Sequence, residues 1–277
     1  MKISARVAAC AFVAAAASSA VCFAATTWEE EIGARAAFEA RSVRETLRRA
    51  AASGYRRHRH RPKGGSENHR IDDYIQRMAQ ELMKTVRPAS EWKKGEPIGQ
   101  FIDTYYYNVI EADYPGPQTE AVKDGKGKIL AWVTRGFWER FNVEGTGRLL
   151  DGRVINTSEN GVIVTDAPMG EGTCRLKPWR TMAVDAKVIP LGTLVTIDQT
   201  VGLKLADGTV LDGYWQAEDT GGEVRNAHVD LYIGDGDKGG LTLDDAGVHL
   251  KALTVRYVET PPSTCAKAPP PPPHPLH

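Results

Sequence analysis

From residue 101 onward the chain consists of short runs of branched and aromatic residues broken by glycine-bearing turns. Residues 101–110, 162–165, 194–197, 214–217, 228–233 and 250–258 each carry strand-favouring side chains. Asp151-Gly152, Asp207-Gly208, Asp212-Gly213 and Gly234-Asp235-Gly236 punctuate them and read as turns. Residues 129–141 fit either a short helix or a strand. Many short strands with frequent glycine turns point to a mainly β fold, a barrel or a sandwich.

The first hundred residues are of another kind. Met1 to Arg6 is short and basic, and the next seventeen residues are apolar and small, ending near Ala24 and Ala25. That is the pattern of a secretory signal peptide over residues 1–25, too short and alanine-rich for a span. The expected location of the remainder is therefore periplasmic or extracellular. Residues 26–52 read as a helix, with Thr27 as cap and Glu29, Glu30 and Glu31 in the first turn. Residues 55–65 are basic and without apolar periodicity. They read as a solvated linker able to touch anionic wall polymer or lipid headgroups, and no nucleic-acid partner is expected of an exported chain. Residues 71–86 return to helical spacing, with Ile71, Tyr74, Ile75, Met78, Leu82, Met83 and Val86 on one face. Residues 26–100 are thus a helical and basic N-terminal region, residues 101–260 the β domain, and residues 261–277 a proline-rich tail.

Four cysteines are present, and Cys10 and Cys22 leave with the signal. Cys174 and Cys265 remain, and in an oxidising compartment two such cysteines are expected to pair. The formal net charge is zero, so the whole molecule calls for no strongly charged partner.

Three aspartates stand out by their surroundings. Asp185 precedes a stiff turn, Val188-Ile189-Pro190-Leu191-Gly192. Asp219 ends the run 214–217 and is followed by Thr220, Gly221 and Gly222, a loop that exposes backbone N–H groups. Asp230 lies inside an apolar run. Strand alternation puts His228, Asp230 and Tyr232 on one face and Val229, Leu231 and Ile233 on the other. An aspartate so placed is either a surface acid on an antiparallel sheet or a carboxylate held in a cleft.

The segments Ala183-Val184-Asp185-x-Lys187-Val188-Ile189-Pro190-Leu191-Gly192-Thr193, Ala217-x-Asp219-Thr220-Gly221-Gly222 and x-Val229-Asp230-Leu231-Tyr232 together resemble the three-aspartate, or 3D, domain family. That domain is similar to the catalytic barrel of membrane-bound lytic transglycosylase A and to the stationary-phase-survival peptidoglycan cleaving proteins. The match is dense over residues 181–236, looser over Thr104 to Tyr107 and Glu144 to Arg153, and absent from residues 26–100. The resemblance implies a double-psi β-barrel with acids lining a glycan groove, here behind an N-terminal helical extension. It places the essential acid on Asp230 and the other two on Asp219 and Asp185. It implies glycan contacts at Thr104, Tyr106, Thr220, Gly221, Gly222 and Arg225. The family's usual Ala-Ile-Lys-Gly after the glycines is Glu223-Val224-Arg225-Asn226 here, and no counterpart of a second, substrate-clamping domain is evident.

The activity so implied is lytic transglycosylation of peptidoglycan at the MurNAc-GlcNAc β-1,4 bond, with one aspartate as acid and then base and 1,6-anhydro products. It needs no cofactor and no metal. Water in place of the C6 hydroxyl would make the enzyme a hydrolase. The other readings are a non-catalytic cell-wall glycan-binding module and a Ca²⁺ or Mg²⁺ site built from the three acids.

Overall fold

The computed structural model describes residues 67–172 and 174–261. The expected signal segment, the helix over 26–52, the basic segment 55–65, Cys265 and the tail beyond residue 261 lie outside the described residues.

The helix expected over 71–86 is α1, Glu67–Leu82, followed by a 3₁₀ turn at Met83–Thr85. Tyr74, Ile75, Ala79 and Leu82 are buried, and Ile71, Met78, Met83 and Val86 are half-buried. The apolar stripe is thus what seats the helix against β1, Pro97–Ile110. Pro88 stands just beyond, where a helix cannot continue.

Six strands close a ring. They are β1, β7 (Thr181–Val184), β8 (Leu194–Lys204), β9 (Val210–Asp219), β10 (His228–Asp235) and β11 (Ala252–Glu259). Their order is β10-β7-β9-β8-β11-β1, and β1 pairs back onto β10, so no ring strand is left as a free edge. The pairs β1–β10 and β7–β9 are parallel, and the other four are antiparallel. Trp215, Phe101, Ile102, Met182 and Ile197 are among the largest fully buried side chains. The Trp215 indole donates to Thr200 Oγ1 at 3.0 Å, which satisfies its one polar atom.

Asp212-Gly213 is not a turn. β9 runs through it, and the β8–β9 register shifts between Thr196 and Val201. Gly213 adopts φ +82°, and a Cβ there would stand 2.4 Å from Val201 Cγ2. An Asp-Gly pair in a strand therefore marks a bulge here, a role glycine fills for the same reason that it fills turns.

Residues 111–180 leave the ring after β1. They form the hairpin β2 (Gln118–Lys123) and β3 (Ile129–Thr134), the helix α2 (Arg135–Glu144), and a meander of β4 (Thr146–Arg148), β5 (Val154–Ser158) and β6 (Gly161–Thr165). The segment 129–141 is thus strand and then helix, divided where Thr134 caps α2 by accepting from Phe137 N. β4 pairs in parallel with the far end of β1 and carries the second sheet. Gly147 makes this possible, since a Cβ there would lie 2.8 Å from Phe137 Cζ. A third helix, α3 (Lys238–Asp245), links β10 to β11. Among the described residues no helix is long and apolar enough to cross a membrane.

Candidate active site

Four strands bring the candidate residues into one row. Thr104 on β1 is opposite Asp230 on β10, Asp230 is opposite Ala183 on β7, and Ala183 is opposite Asp219 on β9. Residues in register across a sheet project to the same face, at about 4.8 Å per strand. Asp230 and Asp219 therefore stand two strands apart with the methyl of Ala183 between them. All three polar members of the row are half-buried, so the row lines an opening rather than the core.

Asp230 Oδ1 accepts from Thr104 Oγ1 at 2.7 Å, and the same hydroxyl lies 2.8 Å from His228 Nε2. Burial pushes the Asp230 carboxyl up to about 7, the Thr104 hydroxyl opposes the shift, and the charges of Glu144 and then Asp219 add to it. Asp219 is differently held. Its Oδ2 accepts from Tyr106 OH at 2.8 Å and its Oδ1 from Thr220 N at 2.8 Å. Burial raises it to about 6, against those hydrogen bonds. The Tyr106 ring packs at 5.2 Å against Tyr232, in a small cluster with Leu176, Ala183 and Val224.

Asp185 stands apart from this row. Its Oδ1 accepts from Lys187 N at 3.0 Å and its Oδ2 from Asn226 N at 2.9 Å. It ties the loop after β7 to the loop after β9, and it is not among the groups that shift Asp230. Asn226 has φ +59°, a left-handed conformation that asparagine tolerates better than most residues. The glycine-to-asparagine departure thus keeps the loop's path.

Thr220 donates its hydroxyl to Glu171 Oε2 at 2.6 Å. Gly222 and Arg225 are exposed, and nothing lies within 4 Å of a Cβ built on Gly222. Gly221 is tighter, with Val224 Cγ2 2.6 Å from such a Cβ. Cys174 is buried and disulfide-bonded.

Two side chains near Asp230 escaped the sequence reading. His228 was placed on the right face by alternation, but nothing in the sequence joined it to Thr104. Glu144 closes α2, with its side chain 7% exposed and its oxygens accepting from Tyr107 N at 3.2 Å and Arg140 Nη1 at 3.3 Å. Burial raises it to about 7. Only the packing of α2 on β1 brings its charge to Asp230. Among the described residues no group of three or more His, Cys, Asp or Glu side chains is arranged to hold a metal ion.

Residues 180–258 match the family model of the 3D domain. The matched stretch holds Asp185, Asp219 and Asp230 with the strands from β7 nearly to the end of β11. Thr104, Tyr106 and Glu144 come from outside it. No curated protein matches the chain by sequence. The chain is similar to the E. coli lytic transglycosylase MltA solved with bound chitohexaose, at 17% identity and a TM-score of 0.44, over 61% of this chain and 74% of that one. It is also similar to a membrane-bound lytic murein transglycosylase from Agrobacterium tumefaciens, at 14% identity and 0.41, over 57% and 75%. For the lytic transglycosylase LtgG of Burkholderia pseudomallei the values are 21% and 0.36, over 57% and 70%. Each alignment stays below a TM-score of 0.5, so the chemistry has to be argued from this chain's own side chains.

Proposed function

We propose that the chain is a peptidoglycan-cleaving enzyme of the lytic transglycosylase kind, with Asp230 as the one acid–base group. The observation that carries the reading is the environment of Asp230. It is a half-open carboxyl whose pKa of about 7 leaves about half of it protonated near neutral pH, with one oxygen held by Thr104 and the other unengaged by any hydrogen bond among the described residues. A general acid works best with a pKa near the working pH. Asp219 supports the same reading from the other side, because both of its oxygens are already bonded to Tyr106 and Thr220 and neither is placed as a free nucleophile. Most glycosidases need two working carboxylates. One free carboxyl beside one engaged carboxyl favours chemistry that reuses a single group.

In that chemistry Asp230 gives its proton to the glycosidic oxygen of a MurNAc-GlcNAc β-1,4 linkage. The C1–O bond breaks with its electron pair on the departing oxygen. The Asp230 carboxylate then takes the proton of the muramoyl C6 hydroxyl, whose oxygen closes on C1 to give a 1,6-anhydro ring. The group ends as it began, and no water enters. Thr104 and Tyr106 on β1 and the loop of Thr220, Gly221, Gly222 and Arg225 are proposed to line the glycan groove. Asp185 is proposed to shape that groove through the two loops it joins.

The ring's two parallel pairs, β1–β10 and β7–β9, support its reading as a double-psi barrel. Export by the segment 1–25, pairing of Cys174 with Cys265 and contact of residues 55–65 with the wall belong to the same proposal. Incubation of purified sacculi with the mature protein, followed by mass analysis, tests the activity. Anhydro-ended fragments are expected. Reducing-end fragments would make the enzyme a hydrolase, and binding without cleavage would make the domain a glycan-binding module.

A further inference from the structure

His228 and Asp230 are two residues apart on β10 and share a face, and Thr104 faces both from β1. Thr104 Oγ1 is 2.8 Å from His228 Nε2 and 2.7 Å from Asp230 Oδ1. A hydroxyl has one proton to donate, and an ionised carboxylate can only accept. Thr104 Oγ1 donates to Asp230 Oδ1, and that bond becomes charge-assisted once Asp230 has given up its proton. The Thr104 oxygen then meets His228 with a lone pair, so Nε2 must carry the hydrogen.

The surroundings of His228 agree with that tautomer. The residue is 4% exposed, and burial lowers its pKa to about 4, so it is neutral and has a single N–H. Nδ1 is buried and has no hydrogen-bond partner. The Glu223 carbonyl, which faces His228 from the loop after β9, already accepts the Gln76 amide at 2.7 Å. The other tautomer would leave its Nδ1–H to share the Glu223 carbonyl with the Gln76 amide.

Resting on the acid–base reading of Asp230, we propose that His228 is its positioning residue. The chain His228 Nε2–H to Thr104 Oγ1–H to Asp230 Oδ1 runs one way, and it leaves Oδ2 as the oxygen that carries the transferable proton. The device also stabilises the carboxylate that exists between the two proton transfers. The carboxylates of Glu144 and Asp219 act on Asp230 through charge and favour its protonated form, and the charge of Asp230 in turn raises Asp103. Among the described residues Thr104 alone supplies a hydrogen bond that favours the ionised form, and His228 keeps its hydroxyl from turning away.

Nuclear magnetic resonance of the mature chain tests this without any cleavage assay. The ¹⁵N shifts of the wild-type His228 ring should report the Nε2–H tautomer, and an Nδ1–H tautomer would overturn the proposal. The carboxyl-carbon titration midpoint of Asp230 should rise by about one pH unit in Thr104→Val, the worth of a hydrogen bond to a charged group. It should rise partway in His228→Leu and stay near wild type in His228→Gln, whose amide supplies a donor at the same reach. A wild-type midpoint in His228→Leu beside a shifted one in Thr104→Val would also overturn it. Should His228→Leu not fold, the wild-type tautomer and the His228→Gln midpoint decide. On sacculi, His228→Leu should lower kcat and move the alkaline limb of the pH profile upward with little change in KM. If the wild type cleaves nothing, the functional reading falls while the titration result stands.

Discussion

The phenol of Tyr106 donates to Asp219 at 2.8 Å and divides the labour of the two carboxylates in the row. With Thr220 N on its other oxygen, Asp219 is a fixed charge with little freedom to react. Tyr106→Phe keeps the packing on Tyr232 and removes only the bond. The Asp219 midpoint should then rise from about 6, because a bond that favours the ionised form is gone. Carboxyl-carbon titration reads this directly. An unmoved midpoint would mean that the phenol does not hold Asp219 in solution.

Glu144 and Asp219 both raise Asp230, with Glu144 the larger influence. Activity that needs protonated Asp230 should fall as pH rises through about 7. Removing a negative neighbour makes ionisation easier, so Glu144→Gln and Asp219→Asn should both move that limb to lower pH. Glu144→Gln should move it further. A pH–rate profile of kcat/KM on soluble glycan strands checks the order.

Stability carries the same signature. Folded Asp230 keeps its proton up to about pH 7, whereas an unfolded aspartate loses it near its ordinary value of 3.8. Between those values the folded chain binds the extra proton, so this group's contribution falls as pH rises through the window. Asp230→Asn escapes that cost. Relative to wild type it should gain roughly 1–3 kcal/mol more at about pH 8.5 than at about pH 4.5, in urea melts at the two pH values. An equal effect at both would contradict the burial of the carboxyl.

Asp185 holds two loops through Lys187 N and Asn226 N. Asp185→Ala should cost about 1–3 kcal/mol of stability and loosen the loop after β9, seen as faster amide exchange at Asn226. Its pH–rate limb should stay where the wild type's is, since Asp185 does not perturb Asp230.

Much of the ring was legible because it rests on local pattern. The runs at 194–197, 214–217 and 228–233 lie within β8, β9 and β10, the run 250–258 overlaps β11 from Ala252 onward, and alternation alone put Asp230 beside His228 and Tyr232. The order of the three aspartates pointed to the domain that the family match covers. What stayed hidden depends on distant pairing. β7 is four residues long, too short to show a period, yet its Ala183 is the spacer between Asp230 and Asp219. That residues 111–180 leave the ring follows from where β1 ends one pairing and begins another, which composition does not record. The family resemblance set Asp185 beside the other two acids, either to order a loop or to bind sugar. Its hydrogen bonds to Lys187 N and Asn226 N join the two loops, a pairing across 41 residues that no local pattern records.

The central claim is that one carboxyl, Asp230, performs both proton transfers. The measurement that tests it most directly is mass analysis of purified peptidoglycan after incubation with equal amounts of wild type and Asp230→Asn, each shown to be folded and to bind glycan. The wild type should give 1,6-anhydro fragments, and Asp230→Asn should lose at least about 10²–10⁴ in rate. Cleavage by Asp230→Asn at the wild-type rate would contradict it.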